Sequence, residues 1–143
     1  VGLNDTPRVG RIDGRPQLNV EAFSFGLGQL LCEMTQEVQV FVLGLTAVDE
    51  HVMPFAGCLW YSNRQIAATE AVMAEQCREA DVPFLSVHLE MQEEPDWLTW
   101  MEPDGIHLNA EGHRWVDQRL DQWAPLRYWA GLAPLNTSTP INM

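Results

Sequence analysis

Apolar residues recur with two different periods along this chain. From Asn19 to Glu37, Phe23, Leu27, Leu30, Leu31 and Met34 return every three or four positions, which predicts a helix with one apolar face. Gly26 and Gly28 each weaken it by about 1 kcal/mol relative to alanine. Val38 to Leu45 is different: β-branched, short and nearly continuous in apolar residues. That pattern predicts a strand covered on both faces, as in a parallel sheet flanked by helices. Thr46 to Trp60 reads as a loop. A second helix is predicted over Ser62 to Ala80, with Ile66, Met73, Ala74, Cys77 and Ala80 inward, and Asp81-Val82-Pro83 stops it. Phe84 to Leu89 predicts a second strand and Glu90 to Pro103 an acidic loop. A third helix starts near Asn109, a residue suited to capping, with Trp115, Val116, Leu120 and Trp123 on its apolar side. Val1 to Arg15 is rich in turn residues.

Helix and strand alternate, so the fold class expected is α/β with a parallel sheet. Right-handed crossovers then put helices on both faces, giving three layers, α/β/α. Residues 1–133 form one domain and 134–143 a polar tail. Chemistry in such sheets gathers on loops at the carboxyl ends of the strands. Three segments reach that end: Gly2 to Asp5, the loop after Leu45 and the loop after Leu89.

Charge narrows the partners. The 143 residues hold 8 Lys plus Arg against 20 Asp plus Glu, a net charge of −12. Nucleic-acid backbones and anionic lipid both need clustered positive charge, so neither is expected. The longest apolar stretch, Val38 to Val48, is interrupted by Gln39, Gly44 and Thr46 and is too short to span a membrane. A small molecule or another protein is the expected partner. Cys32, Cys58 and Cys77 form no CxxC or metal-ligand spacing and read as reduced thiols, which favours the cytoplasm without fixing the compartment. Asn136-Thr137-Ser138 has the form of a glycosylation acceptor and reads as a chance match.

The most informative stretch is Asp104-Gly105-Ile106-His107-Leu108-Asn109. A carboxylate three residues before a histidine, just ahead of a helix, can bend back to Nδ1 and leave Nε2 free as a base. The same spacing also suits a plain capping turn with an exposed histidine. Gly2-Leu3-Asn4-Asp5 is the second stretch. Its Asn4 amide is a neutral donor able to stabilise an oxyanion, and Gly2 permits close backbone approach. An ordinary Asn-Asp turn reads the same way. Trp97 and Trp100 precede the Asp-His block and offer an apolar wall for an acyl group, or core packing. His51 and Asp49, on the loop after the first strand, offer a substrate contact or plain surface. His113 reads as a packing or surface residue. No metal site is expected, since no two of His51, His88, His107 and His113 stand four apart.

Taken together and in this order, the two stretches resemble the SGNH (GDSL-type) hydrolases. Gly2-Leu3-Asn4-Asp5 is similar to that family's Gly-x-Asn-Asp block. Asp104-Gly105-Ile106-His107 is similar to its Asp-x-x-His block, and Leu108-Asn109-Ala110-Glu111-Gly112-His113 continues it. The resemblance runs from Val1 to about Trp123. It implies a flavodoxin-like three-layer fold, His107 as general base, Asp104 as its orienting partner and Asn4 as oxyanion donor. It also implies hydrolysis of a small or lipid-like ester or thioester through a seryl acyl-enzyme, with no cofactor. Gly2 and Trp97 would then contact substrate.

The family's Gly-Asp-Ser block is absent, and so is the block that supplies a second oxyanion donor. Ser24, Ser62, Ser86 and Ser138 stand in other contexts. The resemblance therefore implies that N-terminal strands are missing, on the order of 60 residues at about 30 per βαβ unit. The open sheet edge would call for a cover: a second copy of the chain, a preceding segment, or the Val1–Arg15 arm. The alternative reading is a truncated or non-catalytic homologue that acts as a binding module.

Overall fold

A computed structural model describes residues 1–135. The order is a 3-10 turn (Leu3–Asp5), β1 (Arg8–Val9), α1 (Val20–Glu37), β2 (Val42–Leu43), a 3-10 turn (Glu50–Val52), β3 (Leu59–Trp60), α2 (Asn63–Glu79), β4 (Phe84–Leu85), α3 (His88–Glu93), a 3-10 turn (Trp97–Trp100), α4 (Ala110–Gln122) and α5 (Ala124–Trp129).

The long helices begin where their caps stand. Asn19 Oδ1 accepts from the Ala22 N–H at 2.7 Å, Ser62 Oγ from Gln65 at 3.3 Å, and Asn109 Oδ1 from Glu111 and Gly112 at 2.9 and 3.2 Å. Each cap satisfies N–H groups that a first helical turn leaves unpaired. Along α1 the buried face is Phe23, Leu27 and Leu31, while Leu30 and Met34, at the same spacing, are exposed. Phe25 on that helix is exposed too. Along α2, Ile66, Met73 and Cys77 are buried, together with Thr69 and Glu70.

β2 and β4 pair in parallel, Val42 opposite Phe84 and Leu43 opposite Leu85. Val40, Val42 and Phe84 join Phe23, Leu27, Leu31, Ile66 and Met73 in one core. Phe41 turns to the other face, edge-on to Trp123 and Trp129 at 5.7 Å each. Helices thus cover both faces of a small parallel sheet, the three-layer α/β arrangement expected from the alternation.

The structure corrects several boundaries. The strand expected over Val38–Leu45 is ordered as ladder only at Val42–Leu43, because β4 is its one partner among the described residues and Val38 and Gln39 stand exposed. The strand expected over Phe84–Leu89 ends at Leu85. Beyond it the Val87 and His88 N–H groups are taken by the Glu70 carboxylate instead of a neighbouring strand. The chain then turns into α3, which buries His88 and Met91 one helical turn apart. The expected loop of Glu90–Pro103 therefore holds most of a helix and a 3-10 turn. An antiparallel pair, β1 with β3, was not legible; it sets Arg8 opposite Trp60 and Val9 opposite Leu59. All three cysteines are unpaired, Cys77 buried and Cys32 and Cys58 exposed. No helix among the described residues is long and apolar enough to cross a membrane. Asn136-Thr137-Ser138 and most of the expected tail lie outside the described residues.

Candidate active site

Asp104 and His107 stand on a tight loop between the Trp97–Trp100 turn and α4. The loop closes because His107 O accepts from the Glu102 N–H at 2.8 Å and Trp100 O from Asn109 N–H at 2.8 Å. Asn109 adds its amide, donating to Thr99 O at 2.7 Å while its oxygen caps α4. Gly105 adopts φ 73°, and a side chain there would strike Val52. Its carbonyl accepts from the Asp49 N–H at 2.9 Å, which ties this loop to the one after β2.

Within that turn Asp104 Oδ1 accepts from the Ile106 and His107 N–H groups at 2.9 and 3.0 Å. Oδ2 lies 2.7 Å from His107 Nδ1. The His107 backbone N–H first, then its ring and the Ile106 N–H, pull the Asp104 carboxyl down to about 2. It is a carboxylate at any ordinary pH, able only to accept, so in the neutral ring the proton sits on Nδ1 and the lone pair on Nε2. The imidazole is two-thirds exposed, with Phe55 edge-on to it at 6.2 Å.

Asn4 sits in the Leu3–Asp5 turn. Gly2 opens the turn at φ 108°, buried against Leu45 and Met73, where a Cβ would lie 2.9 Å from Leu45 Cδ2. Both the backbone angle and the packing demand glycine there. Asp5 accepts from the Gly2 N–H at 3.1 Å. Tyr61, buried, reaches Asn4 Oδ1 with its hydroxyl at 3.4 Å.

Asn4 and His107 line one cavity of about 410 Å³, with Gly2, Leu3, Thr46, Leu108 and His113. A larger groove of about 930 Å³ runs between α1 and α2 and contains none of Asn4, Asp104 or His107. Trp97 is half-buried on its 3-10 turn and is not part of the cavity lining. Trp100 packs on Trp115 at 5.5 Å. His113 belongs to the lining, a position its place in the first turns of a helix did not reveal. His51 and Asp49 form a second pair, Nδ1 to Oδ1 at 2.9 Å, outside that lining. The His51 backbone N–H, which Asp49 also accepts, is the main reason the Asp49 carboxyl is lowered.

None of the described serines stands in the cavity. Ser24 lines the α1–α2 groove, Ser62 caps α2, and Ser86 donates to Glu70 at 2.5 Å. Ser138 lies outside the described residues. Among the described residues no group of three or more His, Cys, Asp or Glu could hold a metal ion.

Sequence reasoning missed Glu70. It is buried on α2 and accepts from the N–H groups of Leu45 at 2.6 Å, Val87 at 3.1 Å and His88 at 3.2 Å, besides the Ser86 hydroxyl. Gly44 leaves room for it, since a Cβ there would lie 2.4 Å from Oε2. Beside it His88 is buried, with Nε2 3.1 Å from Asn63 Oδ1 and Nδ1 without a partner. Burial holds its pKa below the ordinary histidine value, against the opposing pull of Glu70 and Glu50. Asn63 in turn pairs with both the N–H and the carbonyl of Val48, at 3.0 and 2.8 Å.

The profile of the GDSL-like lipase/acylhydrolase family matches residues 1–115. Among solved structures, the lipase/acylhydrolase from Enterococcus faecalis aligns with a TM-score of 0.69 at 19% identity, covering 93% of this chain. The aligned chain spans 60% of that structure's length. No curated protein matches.

Proposed function

We propose, because this chain belongs to the GDSL-like lipase/acylhydrolase family, that it carries the proton-handling and oxyanion-stabilising part of an ester-hydrolysing site. The observation that carries the reading is the shared cavity: Asn4 and His107 line it together, and Asp104 holds the His107 ring by Nδ1. His107 Nε2 would take the proton of an attacking hydroxyl as that oxygen adds to the ester carbonyl. Asp104 would stabilise the imidazolium so formed. The Asn4 Nδ2–H would donate to the carbonyl oxygen as it becomes an oxyanion. Collapse expels the alcohol, which receives the proton from His107, and water repeats the sequence on the acyl-enzyme.

The attacking hydroxyl does not come from Ser24, Ser62 or Ser86, whose surroundings lie elsewhere. The reading thus needs a serine from residues other than the described ones. That need is also what favours a second reading, a homologue that binds a ligand in this cavity without turning it over. Hydrolysis of p-nitrophenyl butyrate by the full natural polypeptide that contains these residues separates the two. Ester hydrolysis is expected to fall about 10³–10⁴-fold in His107→Ala. Turnover unchanged by that substitution, or absent altogether, would leave only the binding reading.

A further inference from the structure

We infer that Tyr61 is a positioning residue that holds the Asn4 side chain in place at the cavity. The inference rests on the proposed role of Asn4 and extends it to a residue 57 positions away in the chain.

An asparagine side chain on a turn can rotate among several rotamers, and it serves an oxyanion only in those that hold its amide N–H at the cavity. Tyr61 bears on that choice. Its ring is buried, so its hydroxyl approaches from a fixed direction. That hydroxyl lies 3.4 Å from Asn4 Oδ1, and no other side-chain partner is found for it among the described residues. Burial, and the Asp5 charge nearby, push the phenol pKa up, so the proton needed for donation stays on the oxygen. A contact made from a fixed direction restrains the torsions of the Asn4 side chain beside the cavity that it shares with His107.

The same ring sets spacing. Tyr61 packs edge-on to Phe55 at 6.2 Å, and Phe55 packs edge-on to His107 at 6.2 Å. Two rigid rings therefore join the oxyanion donor to the base. Aromatic pairs of this geometry resist deformation better than aliphatic side chains, having few torsions to relax.

Tyr61→Phe removes the hydroxyl and keeps the ring contacts. In ¹⁵N-labelled protein, the Asn4 side-chain amide protons are expected to move to the positions of an unrestrained asparagine in Tyr61→Phe, with the His107 ring signals unmoved. In the full natural polypeptide the same substitution is expected to lower kcat about threefold to tenfold, the loss of one ordinary hydrogen bond, with KM held. Unchanged Asn4 amide signals would overturn the inference. So would shifted Asn4 signals with kcat intact, or a general displacement of resonances that includes His107. If the full polypeptide shows no His107-dependent hydrolysis, the proposed function fails while the Asn4 amide readout still decides what Tyr61 does.

Discussion

Glu70 and Asp104 both gather backbone N–H groups near the carboxyl ends of the sheet, yet their surroundings set them to different tasks. Glu70 is buried and meets three N–H groups and a hydroxyl, with no ion-pair partner among the described residues. Asp104 is partly exposed; it meets two N–H groups and an imidazole whose far nitrogen is free. In the interior every lone pair must be matched by a fixed dipole, because water is not there to help. The result at Glu70 is a clamp that joins the end of β2 to the start of α3. At the surface the same chemistry leaves one partner able to exchange a proton. The lesson is that a carboxylate's depth decides whether it fastens backbone or tunes a base.

Removing the clamp tests the comparison most severely. Glu70→Ala strands the Leu45, Val87 and His88 N–H groups and opens a void, and is expected to cost about 3–5 kcal/mol in urea unfolding. Asp104→Ala, with water able to replace the lost contacts, is expected to cost about 1 kcal/mol. Equal losses at the two sites would mean that depth does not separate them.

Acid titration sharpens the contrast. His88 has its pKa lowered by burial, so the unfolded chain binds that proton more readily than the folded one. Stability should therefore decline as pH falls below about 6.5, no more steeply than about 1.4 kcal/mol per pH unit, the limit for one proton. Asp104 is lowered from 3.8 to about 2, so its contribution is present above pH 3.8 and lost only as pH falls toward 2. Solvent screening keeps that second loss small, under about 1 kcal/mol. Melting temperatures from pH 8 to 2 should show the first decline vanish in His88→Gln and the second shrink in Asp104→Asn, the remainder including the lowered Asp49 carboxyl. A single decline untouched by either substitution would contradict both assignments.

The smallest effect belongs to the tip of the loop that Asp49 anchors. Ala56 and Gly57 take φ of 50° and 74° between Phe55 and Cys58, whose N–H donates to Phe55 O at 3.2 Å. An L-residue pays for that first angle where glycine does not. Ala56→Gly is expected to stabilise by about 0.5–1 kcal/mol, read as a raised urea midpoint with unchanged slope.

Much of the frame was legible because it is local. Asn19, Ser62 and Asn109 announce three helices, and Asp104 and His107 meet within one turn. What was not legible depends on distant partners. The short strands reflect how little ladder each finds. α3 forms because Glu70, 18 residues before His88, takes the N–H groups a strand would have shared. Glu70 itself left a trace: with Ile66, Met73 and Cys77 it shares the inward stripe of α2, and a lone charge on such a stripe is a polar group in need of partners. Tyr61 left none, since nothing near it in the chain points to Asn4.

The route from Leu45 to Ser62 is fastened unevenly, and that governs where the chain tolerates a change of length. Leu45 is tied to Glu70, Val48 to Asn63 on both sides of its peptide, and Asp49 to Gly105, three anchors within five residues. An added residue among them would pull at least one anchor out of register and shift the loop that bears His107. Around Gly57 nothing lies within 4 Å of where a side chain would begin, and the chain there faces water. Insertions, epitope tags or a fluorescent reporter belong at the Ala56–Gly57 tip, and divergence in loop length should accumulate there and not at Leu45–Asp49.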